Sequence, residues 1–263
     1  MATTARAPTR PSLTIVGIGI AVGQITVEAL GHIQRADRVV ALTENPLSLA
    51  WLKKRRPGTE SLRPFYATKK SRAETYDNIV NRVMSLLRQG HEVCLALYGH
   101  PGVFATPAHE LIRRAREEQF PARMLPGVSA EDCLFADLGV DPGKNGCQSF
   151  DATDFLLHKR IFDPCSALVL WQIGVVGERA SPAKPKMKNV ALLVRVLART
   201  YGGSHKVIVY EAAAYPPCEP TRQVVNLDGL AKTAIAPMST LFVPPLQGRA
   251  VDKRMLRRLG LAS

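Results

Sequence analysis

Leu97-Tyr98-Gly99-His100-Pro101-Gly102-Val103-Phe104 stops one element and starts another. The apolar run before it, Val93 to Leu97, predicts a buried parallel strand. Gly99, Pro101 and Gly102 then follow almost at once. Glycine reaches backbone conformations that other residues avoid. Pro101 fixes its own φ and pushes His100 into an extended conformation. Beyond Phe104 a helical pattern runs through Leu111 and Ile112. In an open α/β sheet, ligands bind at the carboxyl ends of the strands, where this loop is expected. An ordinary strand-to-helix turn fits the same spacing. Tyr98 weighs toward a site, because a phenol at the mouth of a cleft has no core to fill.

Working back, Ser12 to Val16 reads as a strand running into Gly17-Ile18-Gly19, with Gly23 beyond. A dinucleotide fingerprint needs G-x-G-x-x-G. Here Val22 holds the sixth place, which gives a nicotinamide dinucleotide little support. Close packing of this turn against a neighbouring backbone is the preferred reading. Thr26 to Ile33 is helical and amphipathic, Arg38 to Leu42 is a second buried strand, and Leu47 to Leu52 is a helix.

The segment from Leu62 to Tyr76 is less ordinary. Lys69 to Ser71 is a polar loop, and a helix starts near Ser71, with Glu74 completing a capping-box pattern. Arg72 and Tyr76 then fall at i and i+4 on one helical face, with Ile79, Val83 and Leu86 on the apolar side. Spacing alone makes Arg72 and Tyr76 a stacked surface pair as readily as a functional one.

Working forward, His109 to Glu118 is an amphipathic helix. Arg123 to Leu125 leads into Pro126-Gly127-Val128-Ser129-Ala130-Glu131-Asp132, where Ser129 is the expected N-cap. Asp137 to Asn145 is turn-rich and reads as a hinge. Ala167 to Trp171, Val207 to Tyr210 and Met238 to Val243 are strands. Val190 to Tyr201 is a helix, and Ser181 to Lys188 an exposed loop. The alternation predicts an α/β chain of two lobes. We place an N-terminal α/β domain at 12–125, a C-terminal α/β domain at 126–246 and a basic tail at 247–263.

The chain has 263 residues, 46% of them hydrophobic, with no apolar run near the ~18 residues that span a membrane. We therefore expect a soluble, cytoplasmic protein without a secretory signal. The five cysteines, Cys94, Cys133, Cys147, Cys165 and Cys218, are odd in number and lack C-x-x-C spacing. Neither a disulfide framework nor a zinc site is expected, and no metal. The net charge of +13 favours anionic partners, but it is dispersed and not interleaved with aromatics. A solvated surface is preferred to a nucleic-acid site. Composition and spacing leave the function open.

The Gly17-Ile18-Gly19 turn, the Gly99-His100-Pro101 loop and Pro126 to Ala130 resemble the tetrapyrrole methylase superfamily, whose members use S-adenosylmethionine (SAM). The resemblance runs from about Leu13 to Pro245 and implies a two-lobed fold with the cofactor cleft between the lobes. Typical members carry Gly-Asp-Pro where this chain has Gly99-His100-Pro101, and many have a further glycine in place of Ile20. Leu97 to Phe104, the segment holding Tyr66, Arg72 and Tyr76, Gln148 to Ala152, Leu170 to Ile173 and Pro237 to Leu241 resemble one branch. These are the borosin peptide backbone α-N-methyltransferases. The chain ends at Ser263 without an apolar core peptide, so it looks like the split kind that acts on a separate precursor peptide. The resemblance implies a homodimer, in a 2:2 complex with the peptide protein.

The chemistry explains why such residues are wanted. An amide nitrogen is a poor nucleophile because its lone pair is delocalised into the carbonyl. Methylation needs its proton removed, and negative charge then develops on the carbonyl oxygen. A guanidinium suits that oxygen, and a phenol beside an Arg is a candidate base. The resemblance thus implies catalytic roles for Tyr66, Arg72, Tyr76 and Tyr98. It implies SAM contacts at Tyr98, His100, Val103, Phe104, Ala130, Gln172, Ala212, Ser239 and Thr240. The competing readings are a corrin or porphyrin C-methyltransferase and an RNA-binding methyltransferase.

Overall fold

A computed structural model describes residues 10–66, 72–178, 185–215, 217–247 and 250–261. The chain divides into two compact units, one of residues 1–137 with 212–220 and one of 138–211 with 221–263. Where the sequence placed a boundary after Leu125, the first unit runs on to Asp137, the start of the turn-rich stretch. It also takes back a later segment.

The first unit is built on a five-stranded sheet. Its strands are β1 (Ser12–Gly17), β2 (Arg38–Leu42), β3 (Glu60–Ser61), β4 (Glu92–Leu97) and β5 (Ala122–Met124). The order is β3-β2-β4-β1-β5 and every pairing is parallel. A parallel sheet is covered on both faces, so its central strands are apolar throughout. In β4, Val93, Leu95 and Leu97 face one core, and Cys94 and Ala96 face the other. The first core is closed by α3 (Arg72–Arg88) and α4 (Thr106–Glu117), through residues such as Ile79, Val83 and Leu111. The second is closed by α1 (Val27–Arg35) and α2 (Pro46–Arg55), through Ala29, Ile33 and Leu52. Burial pushes the Cys94 thiol up to about 12, which keeps it inert packing material.

Local signals start these helices where the chain needs them. Thr26 accepts from the Ala29 amide to cap α1, and Asn45 accepts from Leu47 and Ser48 to cap α2, with Pro46 at the first turn. The start proposed for α3 at Ser71, the capping box with Glu74 and the loop at Lys69 to Ser71 fall on residues outside those described. α5 (Ala130–Leu138) begins with a reciprocal pair. Ser129 donates its amide and hydroxyl to Asp132, and the Asp132 amide donates to Ser129 Oγ at 3.2 Å.

The second unit holds α6 (Pro142–Asn145), α7 (Ala152–Leu157), α8 (Met187–Tyr201), α9 (Lys253–Arg258) and a mixed sheet. Its strands are β6 (Cys147–Asp151), β7 (Ala167–Trp171), β8 (Lys206–Glu211), β9 (Thr221–Asn226) and β10 (Thr240–Val243), in the order β6-β7-β10-β8-β9. Only β6 and β7 pair in parallel. Val190, Leu193 and Leu197 of α8 pack with Leu168, Leu170, Val207, Val209 and Leu241. Among the described residues, no helix is long and apolar enough to cross a membrane.

Candidate active site

Register decides which loops meet in the first unit. Leu97 of β4 stands level with Gly17 of β1 and with Leu42 of β2. Three strands therefore stop in one row, and the loops after them rise side by side at the carboxyl edge. The Ile18 amide donates to Leu97 O at 2.8 Å and the Tyr98 amide to Leu42 O at 3.1 Å, which extends the row by one step. Gly99 then bridges to Gly19, its amide on Gly19 O at 2.9 Å.

Here glycine is required by space. A Cβ on Gly17 would stand 2.4 Å from Gly99 O and 2.9 Å from Gly127 Cα, and one on Gly127 would stand 2.8 Å from Gly17 Cα. The three loops that carry the sequence motifs are thus packed backbone on backbone. Close packing, the reading preferred from sequence for the Gly17 turn, is what the structure has. Gly19 needs glycine for another reason, since its φ is +74° and a Cβ would fall 2.5 Å from Gln24 Cβ.

Gln24 folds back beneath that turn. Its Oε1 accepts from the amides of Ile20 at 2.8 Å and Ala21 at 3.0 Å, and its Nε2 donates to Cys133 Sγ on α5 at 3.4 Å. Successive amides of this kind bind phosphate in glycine turns that hold dinucleotides. Here a side chain consumes them, so the turn offers a pyrophosphate no cradle.

The Gly99 to Phe104 loop is fixed from within. His100 Nδ1 accepts from the Gly102 amide at 2.9 Å, and the His109 ring meets Gly102 O at 3.0 Å. An Asp side chain makes the same bond to the backbone two residues on. His100 therefore keeps the turn of a Gly-Asp-Pro loop and removes its negative charge. Tyr98 and Val103 are partly exposed, at 38% and 39%, and Phe104 is half exposed with φ of 50°, a strained value for a non-glycine residue.

The four candidate catalytic residues lie in this unit. Tyr66 ends a turn in which its amide donates to Arg63 O at 2.9 Å, and the buried Thr75 of α3 donates its hydroxyl to Phe65 O. That bond sets Tyr66 beside the first turns of α3. Its phenol lies within electrostatic reach of Tyr76, Glu44 and Arg72. Burial, then Tyr76 and Glu44, push it up to about 12, and Arg72 opposes them only in part. Tyr98 is also pushed up to about 12, by burial first and then by Cys133 and Glu44. Both phenols are therefore protonated donors at neutral pH. Glu44, which the sequence reading passed over, stands near both. It lies two residues past Leu42, the end of β2 and the acceptor of the Tyr98 amide, and no local pattern marks it.

The cofactor candidates divide between the units. Tyr98, His100, Val103, Phe104, Ala130 and Ala212 belong to the first, and Gln172, Ser239 and Thr240 to the second. The segment after Ala212 is tied down by Asn45 Nδ2, which donates to Ala214 O at 3.0 Å. In the second unit Gln172 closes β7 in the left-handed region at φ 59°, and the next amide, Ile173, donates to Ser239 O at 3.1 Å. Ser239 is fully buried. Its hydroxyl accepts from Ala236 N at 2.8 Å and donates to Glu211, and its own amide donates to Ala236 O. Its polar atoms are committed to holding the Gln172 turn. Thr240 is buried in register with Tyr210.

A parallel glycine-edged sheet followed by a mixed sheet, with motif loops at the carboxyl edge, defines a two-unit α/β methylase architecture. The chain belongs to the family of tetrapyrrole (corrin/porphyrin) methylases, whose family model matches residues 12–224. Its fold is similar to that of uroporphyrin-III-C-methyltransferase from Thermus thermophilus. That match has a TM-score of 0.64 and 18% identity, over 90% of this chain and 93% of the other. The chain is 40% identical, over 95% of its length, to the methyltransferase/type III borosin cyclic peptide precursor of Anomoporia bombycina, and spans 30% of that protein. It is 38% identical, over 95% of its length, to the methyltransferase/omphalotin A precursor of Omphalotus olearius, and spans 61% of it. It is 36% identical, over 97% of its length, to a methyltransferase/type I borosin precursor of Coprinopsis marcescibilis, and spans 68% of it.

Proposed function

We propose that this chain is a SAM-dependent methyltransferase that methylates backbone amide nitrogens of a ribosomally made precursor peptide. What carries the reading is the docking of the Tyr66 turn on the start of α3, through Thr75 on Phe65 O, which sets the Tyr66 phenol within electrostatic reach of Arg72 and Tyr76. The borosin methyltransferase/precursor names of the relatives support a peptide as the substrate.

The residues fit the donor. SAM has no phosphate, and the amides of the Gly19 turn are already capped by Gln24. Tyr98, Val103 and Phe104 offer exposed apolar surface for a purine or a thioether chain. His100, Ala130, Gln172, Ala212, Ser239 and Thr240 complete the proposed set, with Ser239 acting through the Gln172 turn. When bound, SAM supplies an electrophilic methyl group on sulfonium.

The chain's own residues supply the rest. Arg72 faces the carbonyl oxygen of the target amide and stabilises the charge that develops there as the N–H is lost. Tyr76 relays that proton, its hydroxyl oxygen taking it up as its own proton passes to solvent. Tyr66 and Tyr98 keep their protons and orient the amide as donors. The finer reading is a homodimer in the cytoplasm taking the peptide as a separate chain, in a 2:2 complex, as the resemblance implies. Light scattering of the protein with and without a candidate peptide tests it.

The decisive assay is mass spectrometry of a candidate peptide, counting added methyls over time at saturating SAM. Tyr76→Phe keeps the ring and is expected to slow turnover by ~10²-fold, the scale of a positioned proton acceptor. Arg72→Lys keeps a charge and loses the planar fork, and is expected to cost ~10²-fold. Tyr66→Phe is expected to be milder. Near-normal methylation by the first two variants returns Arg72 and Tyr76 to a surface pair. Methylation of a corrin or porphyrin, and of no peptide, overturns the substrate.

A further inference from the structure

We propose that Gln24 is a positioning residue for the methyl donor, an inference that rests on the SAM reading above. The Gly19 turn cannot hold its own shape. Gly19 sits at φ +74°, and the two amides after it point the same way. Left alone, those amides are satisfied by water, and the turn is free to choose among glycine's many conformations. Gln24 removes that choice. Its Cβ occupies the space beneath Gly19 that a side chain there would need, and its single carbonyl oxygen takes both amides. A shorter Asn does not reach, and a Met of the same length satisfies neither amide.

The other end of the same amide group carries the argument to the site. Nε2 donates to the thiol of Cys133, one helical turn into α5 from Ala130. Cys133 is in turn within electrostatic reach of the Tyr98 phenol. One side chain therefore ties the first motif loop to the third. Gly99 already bridges to Gly19, so the shape of the Gly19 turn is passed directly to the Gly99 to Phe104 loop. Fixing this turn before the donor arrives lowers the ordering cost of binding it. Gln24 is itself part-buried against Cys133 and needs no contact with the peptide.

The test uses the full chain with Gln24→Met, Gln24→Glu and Cys133→Ser. Gln24→Met keeps the length and apolar packing and loses all three hydrogen bonds. It is expected to raise the KM for SAM and the Kd for the demethylated product roughly tenfold, the effect of one to two ordinary bonds. The KM for the peptide and kcat at saturating SAM should stay near wild type. Gln24→Glu keeps an acceptor for both amides and is expected to restore most of the donor affinity. Cys133→Ser keeps an acceptor for Nε2 and is expected to behave as wild type. If Gln24→Met changes only Tm, or lowers kcat and peptide affinity with donor affinity intact, the proposal fails. The same holds if Gln24→Glu is no better than Gln24→Met. Wild-type protein that binds no SAM overturns the underlying reading as well, which separates the two failures.

Discussion

Gly17→Ala is the most economical way to break the site without touching a polar group. The added Cβ lands 2.4 Å from Gly99 O, 2.9 Å from Gly127 Cα and 2.9 Å from Pro101 Cδ. Carbon and carbonyl oxygen sit comfortably at about 3.3 Å, so the Gly99 loop must retreat by roughly 1 Å. That loop is not free to move, because Gly99 donates to Gly19 O and Tyr98 to Leu42 O. Overpacking usually costs about 1–3 kcal/mol, and backbone obstacles on two sides put this case at about 3 kcal/mol. At about 2–4 °C per kcal/mol for a chain of this order, Tm is expected to drop by roughly 6–12 °C. Gly23→Ala is the control, since no atom lies within 4 Å of its added Cβ and its φ is not in the left-handed region. It should match or slightly exceed wild-type stability. Scanning calorimetry gives the Tm values, and titration with the demethylated product gives Kd. Gly17→Ala is expected to bind that product far more weakly, and Gly23→Ala as well as wild type. An unchanged Tm and Kd for Gly17→Ala, or equal damage from Gly23→Ala, refutes the backbone-packing argument.

Tyr66 and Tyr98, each raised to about 12 from 10.0, bind their protons more tightly folded than unfolded. Stability should therefore hold below pH 10 and fall as pH rises toward 12, and Tyr66→Phe or Tyr98→Phe should each flatten that fall in alkaline unfolding curves. Tyr201 is 7% exposed and its hydroxyl meets no partner among the described residues. Tyr201→Phe should thus match wild type or gain about 1 kcal/mol in denaturant melts, and a comparable loss points to an unseen partner for the hydroxyl. Asp132→Ala removes the acceptor for the Ser129 amide and hydroxyl, and should cost about 1 kcal/mol. Faster amide exchange confined to the first turn of α5 checks it; unchanged protection there contradicts the cap.

Much of the first unit was legible because its strands are buried on both faces. Val93 to Leu97, Arg38 to Leu42 and Ser12 to Val16 all stand out as apolar runs, and the motif loops follow them. The second unit was harder. β9 is an edge strand, Thr-Arg-Gln-Val-Val-Asn, exposed at nearly every position, so no face of it shows in the sequence. β6 is polar and only half-buried, for the same kind of reason. At the site, Arg72 and Tyr76 could be paired by helical spacing, because helix geometry is local. Glu44 and Gln24 could not. Glu44 comes within electrostatic reach of the phenols only through tertiary register, and Gln24 reaches a thiol more than a hundred residues away in sequence. Only the folded row of strand ends brings such groups together.

The segment 212–220 belongs to the first unit, although residues 138–211 are made before it. Its anchor, the bond from Asn45 to Ala214, joins two residues that are made 169 residues apart. On a ribosome adding about 5–20 residues per second, the first sheet is expected to wait several seconds for its last piece. During that interval the carboxyl edge bearing Tyr98 and Glu44 lacks Ala212 and its neighbours. A nascent chain arrested before residue 212 can carry a folded parallel sheet and still lack one of its proposed donor contacts. The order of translation then gives the enzyme a built-in delay between folding and competence.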